Sequence, residues 1–182
     1  GHPAIYDRWA DDGCTGWDWQ TVLPYFKRSE DQARGANRYH GTGGPMRVAD
    51  LRDPNRLSRA FVRAAKQVGL PPNEDFNGQT QRGFGLFQVT QRRGRRESAA
   101  TAFLEPAADR PNLTVRTHAQ VTRLLWDDTH CRGVAYRRDG AIQKMPADAE
   151  VILCAGAVNS PQLLMLSGVG PADDLEEHDI DV

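Results

Sequence analysis

The residues with the clearest potential for chemistry lie near one end of the chain. Residues 151–170 read VILCAGAVNSPQLLMLSGVG. An apolar run there meets a small-residue turn, and a second apolar run closes on two glycines. The small side chains of Ala155, Gly156 and Ala157 let backbone come close to a ligand or to a neighbouring helix. The carboxyl end of a buried strand is where α/β sheets place their cofactors, so the turn reads either as a nucleotide contact or as a tight turn for close packing. The other reactive residue types form no recognisable constellation. The histidines at 2, 40, 118, 130 and 178 lack metal-ligand spacing, and each reads as a surface residue. Ser160 stands in N-S-P rather than in a G-x-S-x-G elbow. The carboxylate pairs Asp11-Asp12, Asp127-Asp128 and Glu176-Glu177 sit in polar surroundings unlike those of an acid/base dyad. No catalytic group and no metal site emerge.

Elements must hold that turn. The run Val151–Leu153 is uniformly apolar, which predicts a strand inside a sheet covered on both sides. Asn159 or Ser160 then caps a helix with Pro161 at its first position, Leu163, Leu164 and Leu166 buried and Gly168 just past its end. Upstream, LTVRT, VTRLLW, GVAYRR and AIQKM are short segments that predict a β-meander over 113–145, with Asp139-Gly140 as a hairpin turn. Asp18 caps a predicted helix over 18–31, in which Pro24 should produce a kink or a broken first turn. The clearest helix is NRLSRAFVRAAKQVG: Leu57, Phe61, Ala64, Ala65 and Val68 recur at helical spacing, and Arg56, Arg59, Arg63 and Lys66 form a solvated opposite face. A strand is predicted over Phe84–Thr90, between turns at Asn77-Gly78 and Gly94, and Ser98 caps a small-residue helix that packs Ala99, Ala102 and Phe103. The glycines of YHGTGGP read as a plain loop, since no strand precedes them and their spacing is not G-x-G-x-x-G. Arginines 92, 93, 95 and 96 read as a polar hairpin end.

Composition narrows the class. Hydrophobic residues make up 39% and charged residues 26% of the 182, a globular profile. Twenty-three Lys and Arg against 24 Asp and Glu leave no basic surplus for nucleic acid. Cys14, Cys131 and Cys154 are odd in number and far apart, which argues against a disulfide framework or zinc site and for a reducing compartment. No run has the length of a membrane span.

The motifs taken together resemble the glucose-methanol-choline family of flavoprotein oxidoreductases. GAVNSPQLLMLSGVG is similar to that family's second signature, and YDRWA, GCTGWDWQTVLPYFKRSE, YHGTGGPMRV, DFNG, GFGLFQVTQRRGRRESAATAFL and NLTVRTHAQVTRLL extend the likeness along nearly the whole chain. Within the family the sequence is similar to choline dehydrogenases and bacterial alcohol dehydrogenases. The resemblance implies an α/β fold of mixed type: part of a Rossmann-like FAD-binding domain with its β-meander, and part of a substrate-binding domain. It places a helical segment of the FAD domain at 1–40, part of the substrate domain at 41–112, and the meander with the strand-turn-helix at 113–182.

FAD is the implied cofactor. Cys154, Ala155, Gly156 and Ala157 lie beside its ADP half, Val121 contacts adenine through its main chain, and Gln88 approaches the substrate side. The implied reaction oxidises an alcohol CH–OH, that of choline or another primary alcohol, by hydride transfer to flavin, with the electron acceptor unassigned. Localisation is expected in the cytoplasm or peripheral to the inner membrane. The family's G-x-G-x-x-G loop and catalytic histidine have no counterparts among these residues, so the sequence reads as the middle of an enzyme, inactive alone and weak toward FAD. A free-standing, non-catalytic module that binds through the meander is the competing expectation.

Overall fold

The computed structural model describes residues 1–182 and divides them into two compact units, Gly1–Leu113 and Thr114–Val182. In the first unit, helix α1 (Pro3–Asp11) begins with His2, whose Nδ1 accepts from the Ala4 N–H at 3.2 Å. Helix α2 (Trp19–Ser29) starts where expected. Asp18 accepts from the Thr21 N–H at 3.0 Å and from its hydroxyl at 2.7 Å. These two bonds, the hydroxyl first, hold the Asp18 carboxyl below its ordinary value. Pro24 lies inside α2, not near its start. Tyr6 packs its ring against Trp9, Trp19 and Phe26 at centroid distances of 5.2 to 5.7 Å, tying α1 to α2.

A four-stranded sheet follows, built from β1 (Glu30–Gln32), β2 (Met46–Ala49), β3 (Val89–Arg92) and β4 (Arg95–Arg96) in that order. β1 and β2 are parallel, and the remaining pairs are antiparallel. The glycine-rich loop connects β1 to β2 and presses on the end of α2. A Cβ on Gly41 would overlap the Lys27 carbonyl oxygen, and one on Gly44 would stand 2.5 Å from the Ser29 carbonyl carbon. Close backbone approach accounts for these glycines.

Helix α3 (Arg56–Gln67) is capped by Asn55, which accepts from the Leu57 N–H at 2.8 Å. Only Ala65 of its apolar face is buried; Leu57, Phe61 and Val68 are 66–75% exposed, because no layer covers them. The strand expected over Phe84–Thr90 is shorter and later. Phe84 makes a single bridge to Pro72, and regular pairing begins at Val89. After β4, residues Ala100–Leu104 form a wide π-type turn instead of an α-helix. Ser98 and Thr101 cap it reciprocally, with N–H to hydroxyl distances of 2.8 and 3.3 Å. Ala102 is buried there, while Phe103 is exposed.

The second unit is a meander of β5 (Gln120–Asp127), β6 (His130–Arg138) and β7 (Ala141–Pro146), antiparallel throughout. Asp139 and Gly140 both take positive φ, 51° and 79°, the geometry their hairpin demands. Two predicted strands are absent. Leu113–Thr117 and Val151–Cys154 have no ladder partner, and Ile152 is 73% exposed rather than buried in a sheet. An apolar, β-branched run favours extension, but pairing on both sides needs neighbours that this unit does not provide.

Helix α4 (Gly156–Met165) starts five residues before Pro161, which therefore lies inside it. Ser160 reaches back to accept the Ala155 N–H at 3.1 Å. The short α5 (Ala172–Glu176) contributes Leu175, with no exposed surface; the other buried apolar residues of this unit are Leu124, Ala135, Tyr136 and Leu163.

Candidate functional site

In the second unit, α4 is pinned to β5 through Ser167. The Ser167 hydroxyl donates to the Leu163 carbonyl at 2.6 Å and accepts from the Leu124 N–H at 2.9 Å, and the Ser167 carbonyl accepts from Trp126 Nε1 at 3.0 Å. Ser167 is 4% exposed, so these bonds form out of water. The turn ahead of α4 stays open. Cys154, Ala155, Gly156 and Ala157 are all exposed. Gly156 holds φ +90°, and a Cβ placed on it would meet nothing within 4 Å. Its glycine thus answers a backbone requirement and leaves free space over the turn.

Val121 lies on β5, an edge strand, where alternate N–H and C=O groups face away from the ladder. It lines a cavity of about 410 Å³ with Thr114, Arg116, Ala119, Val134, Tyr136 and Met145. That volume falls in the range of small-molecule sites. Arg116 donates to the Tyr136 hydroxyl and lies over its ring, 5.9 Å from the centroid; that hydroxyl donates to Gln143 at 2.7 Å. Cys154–Ala157 do not line this cavity, so Val121 and the turn are separate surfaces of the unit. The open turn and the mostly apolar cavity, with one planar guanidinium, suit backbone approach and a flat heterocycle respectively.

In the first unit Gln88 is bound into a network. Its amide pairs reciprocally with Gln32, both bonds at 2.9 Å, and also donates to Asp50 at 3.1 Å. Asp50 is paired with Arg34 at 2.6 Å; that bond first, and Gln88 after it, holds the Asp50 carboxyl below its ordinary value, and the Asp50 bond raises Arg34 above its own. Gln32 donates on to Glu30 at 3.2 Å.

Glu30 leads to the residue that sequence reading misplaced. His40 is 5% exposed, not a surface histidine. Its Nδ1 stands 2.9 Å from both Glu30 oxygens and its Nε2 3.0 Å from Asp75 Oδ2. In its doubly protonated form the ring donates to a carboxylate on each side. Nothing in the spacing of residues 30, 40 and 75 marks them as neighbours; the β1–β2 crossover and the DFNG turn bring them together. The other four histidines are exposed. The three cysteines are free, and no group of three His, Cys, Asp or Glu side chains could hold a metal ion.

These features define a class. Residues 1–180 match the family described as GMC oxidoreductase, and the chain belongs to that family. It is 46% identical over 182 residues to the mitochondrial choline dehydrogenase of Mus musculus, covering all of this chain and 30% of that protein. It is 45% identical over 183 residues to an alcohol dehydrogenase [acceptor] of Pseudomonas putida, covering 99% and 33%. The chain thus spans about a third of these curated relatives.

Among solved structures, pyridoxine 4-oxidase from Mesorbium loti superposes with a TM-score of 0.86 at 36% identity, over 100% of this chain and 36% of that one. An FAD-dependent oxidoreductase from Chaetomium thermophilum gives 0.85 at 27%, over 100% and 34%. The mixed α/β fold is therefore that of GMC oxidoreductases. No helix is long and apolar enough to cross a membrane.

Proposed function

We propose that these residues form part of the FAD site of an oxidoreductase acting on the CH–OH group of choline or another primary alcohol. Cys154–Ala157 border the ADP half and Val121 borders adenine through its main chain. In this reading residues 1–40 and 113–182 belong to the FAD-binding domain, and residues 41–112 to the substrate domain. Gln88 stands on the substrate side. The observation that carries the reading is Gly156: a left-handed residue between two alanines, exposed, with free space where a side chain would stand.

Bound flavin supplies hydride acceptance from the alcohol carbon. What this chain supplies is binding and orientation. Its single buried histidine is held between two carboxylates and offers no free nitrogen as a base. The 182-residue chain alone is accordingly expected to show no flavin reduction by choline, and to bind FAD weakly without a glycine-rich pyrophosphate cradle. Stoichiometric reduction by an alcohol would overturn that expectation. In a full-length enzyme carrying these residues, Gly156→Val should lower flavin content. Normal flavin loading would return the turn to a packing role.

A further inference from the structure

The arginines at the tip of the first unit are poorly explained as a solvated hairpin end. Arg92 and Arg95 stand directly opposite each other in the β3–β4 ladder, and like charges so placed destabilise a strand pair. Arg93 occupies φ +53° at the turn, where asparagine or glycine is favoured. Arg52 adds a guanidinium against Gly94. Four arginines thus share one groove with a single carboxylate, Glu97, in a chain whose net charge is −1, and Arg52 stands beside the turn.

Glu97 is 8% exposed and fully engaged, accepting from Arg92 Nε at 2.8 and 3.1 Å. Asp31, which also feels the Arg92 charge, is committed to the Gly43 N–H at 3.1 Å and to Arg47 at 2.8 Å. Arg52, Arg93, Arg95 and Arg96 form no ion pair among those of the protein. The hairpin arginines line a groove of about 830 Å³ with Glu97 at its wall.

We infer that this groove is a binding site for a phosphate-bearing ligand, gripped by Arg93, Arg95 and Arg96 beside an Arg92 that buried Glu97 holds in place. Planar guanidinium forks match phosphate oxygens two at a time, and several such residues lining one groove favour a dense anion over a single carboxylate. A bound phosphate also relieves the cross-strand repulsion between Arg92 and Arg95. Val121 and Cys154–Ala157 take no part, so the inference stands or falls apart from the FAD reading.

The test is calorimetric titration of the 182-residue chain with inorganic pyrophosphate, at low and at physiological ionic strength, alongside cosedimentation with phosphatidylserine and with neutral vesicles. Saturable pyrophosphate binding is expected, weaker at the higher ionic strength. It should weaken about tenfold or more for each guanidinium removed in R95Q/R96Q. Arg93→Asn should weaken it too, with an unchanged far-UV spectrum, since asparagine suits the turn better than arginine. Arg123→Gln, an exposed arginine of the other unit, should leave it unaltered. Arginine-dependent binding to phosphatidylserine vesicles without pyrophosphate binding would support the site and identify lipid headgroups as its source of phosphate. Absence of both, or binding equal in R95Q/R96Q and the parent chain, would overturn the inference.

Discussion

Replacing His40 by alanine should destabilise the first unit more than any change at its surface. The ring stands 2.9 Å from Glu30 and 3.0 Å from Asp75, with side chains 6%, 16% and 33% exposed. Leaving a buried hydrogen-bonding group without its partner costs about 1–3 kcal/mol, and more when that group is charged. Glu30 is not wholly stranded, because the Gly41 N–H at 3.1 Å and Gln32 at 3.2 Å remain, and Asp75 has partial access to water. The expected loss is therefore about 2–4 kcal/mol. For a unit of this size it lowers the thermal midpoint by roughly 8–16 °C. Urea titration followed by circular dichroism measures the loss, and a double-mutant cycle with Glu30→Gln isolates the pair. A loss below about 1 kcal/mol, or a coupling indistinguishable from zero, would refute the bridged-histidine reasoning.

Three further outcomes follow from particular contacts. Ser167→Ala leaves the buried Leu124 N–H without its acceptor and should cost the second unit about 1–3 kcal/mol in urea. Gly41→Ala forces the loop off the Lys27 carbonyl and should destabilise the first unit by about 1–3 kcal/mol, with exchange protection lost at the end of α2. Asp18, Asp31 and Asp50 are held below their ordinary value near 3.8, by Thr21, by the Gly43 N–H and Arg47, and by Arg34 respectively. Their stabilisation is complete above that value and disappears as pH falls through the folded-state values. Their contribution to the urea midpoint should accordingly be full and independent of pH between neutral pH and roughly pH 4, and be lost below it.

Local signals were the legible ones. The Asp18 cap, the Asp139-Gly140 hairpin and the three central strands each follow from a few adjacent residues, and they stand where expected. What failed depended on partners. Val151–Leu153 has the composition of a buried strand, yet a strand exists only as part of a ladder, and none forms beside it. Pro161 suits the start of a helix, but Gly156 at positive φ lets the chain enter α4 five residues earlier. His40 was unreadable for a similar reason. Its carboxylates lie 10 and 35 residues away, and only the β1–β2 crossover brings them within bonding distance. The turn at Cys154–Ala157 was legible as a type of surface, and the structure adds that Gly156 is required by φ and is open above.

The most direct test of the proposed cofactor role is a titration of the isotope-labelled chain with ADP, read by amide chemical shifts. ADP carries the adenine and diphosphate that the second unit is proposed to border, and shift mapping detects binding too weak for calorimetry. The account predicts concentration-dependent shifts concentrated at Val121, Cys154, Ala155, Gly156 and Ala157, retained in R95Q/R96Q. Saturating ADP with no shift at those five residues would contradict it.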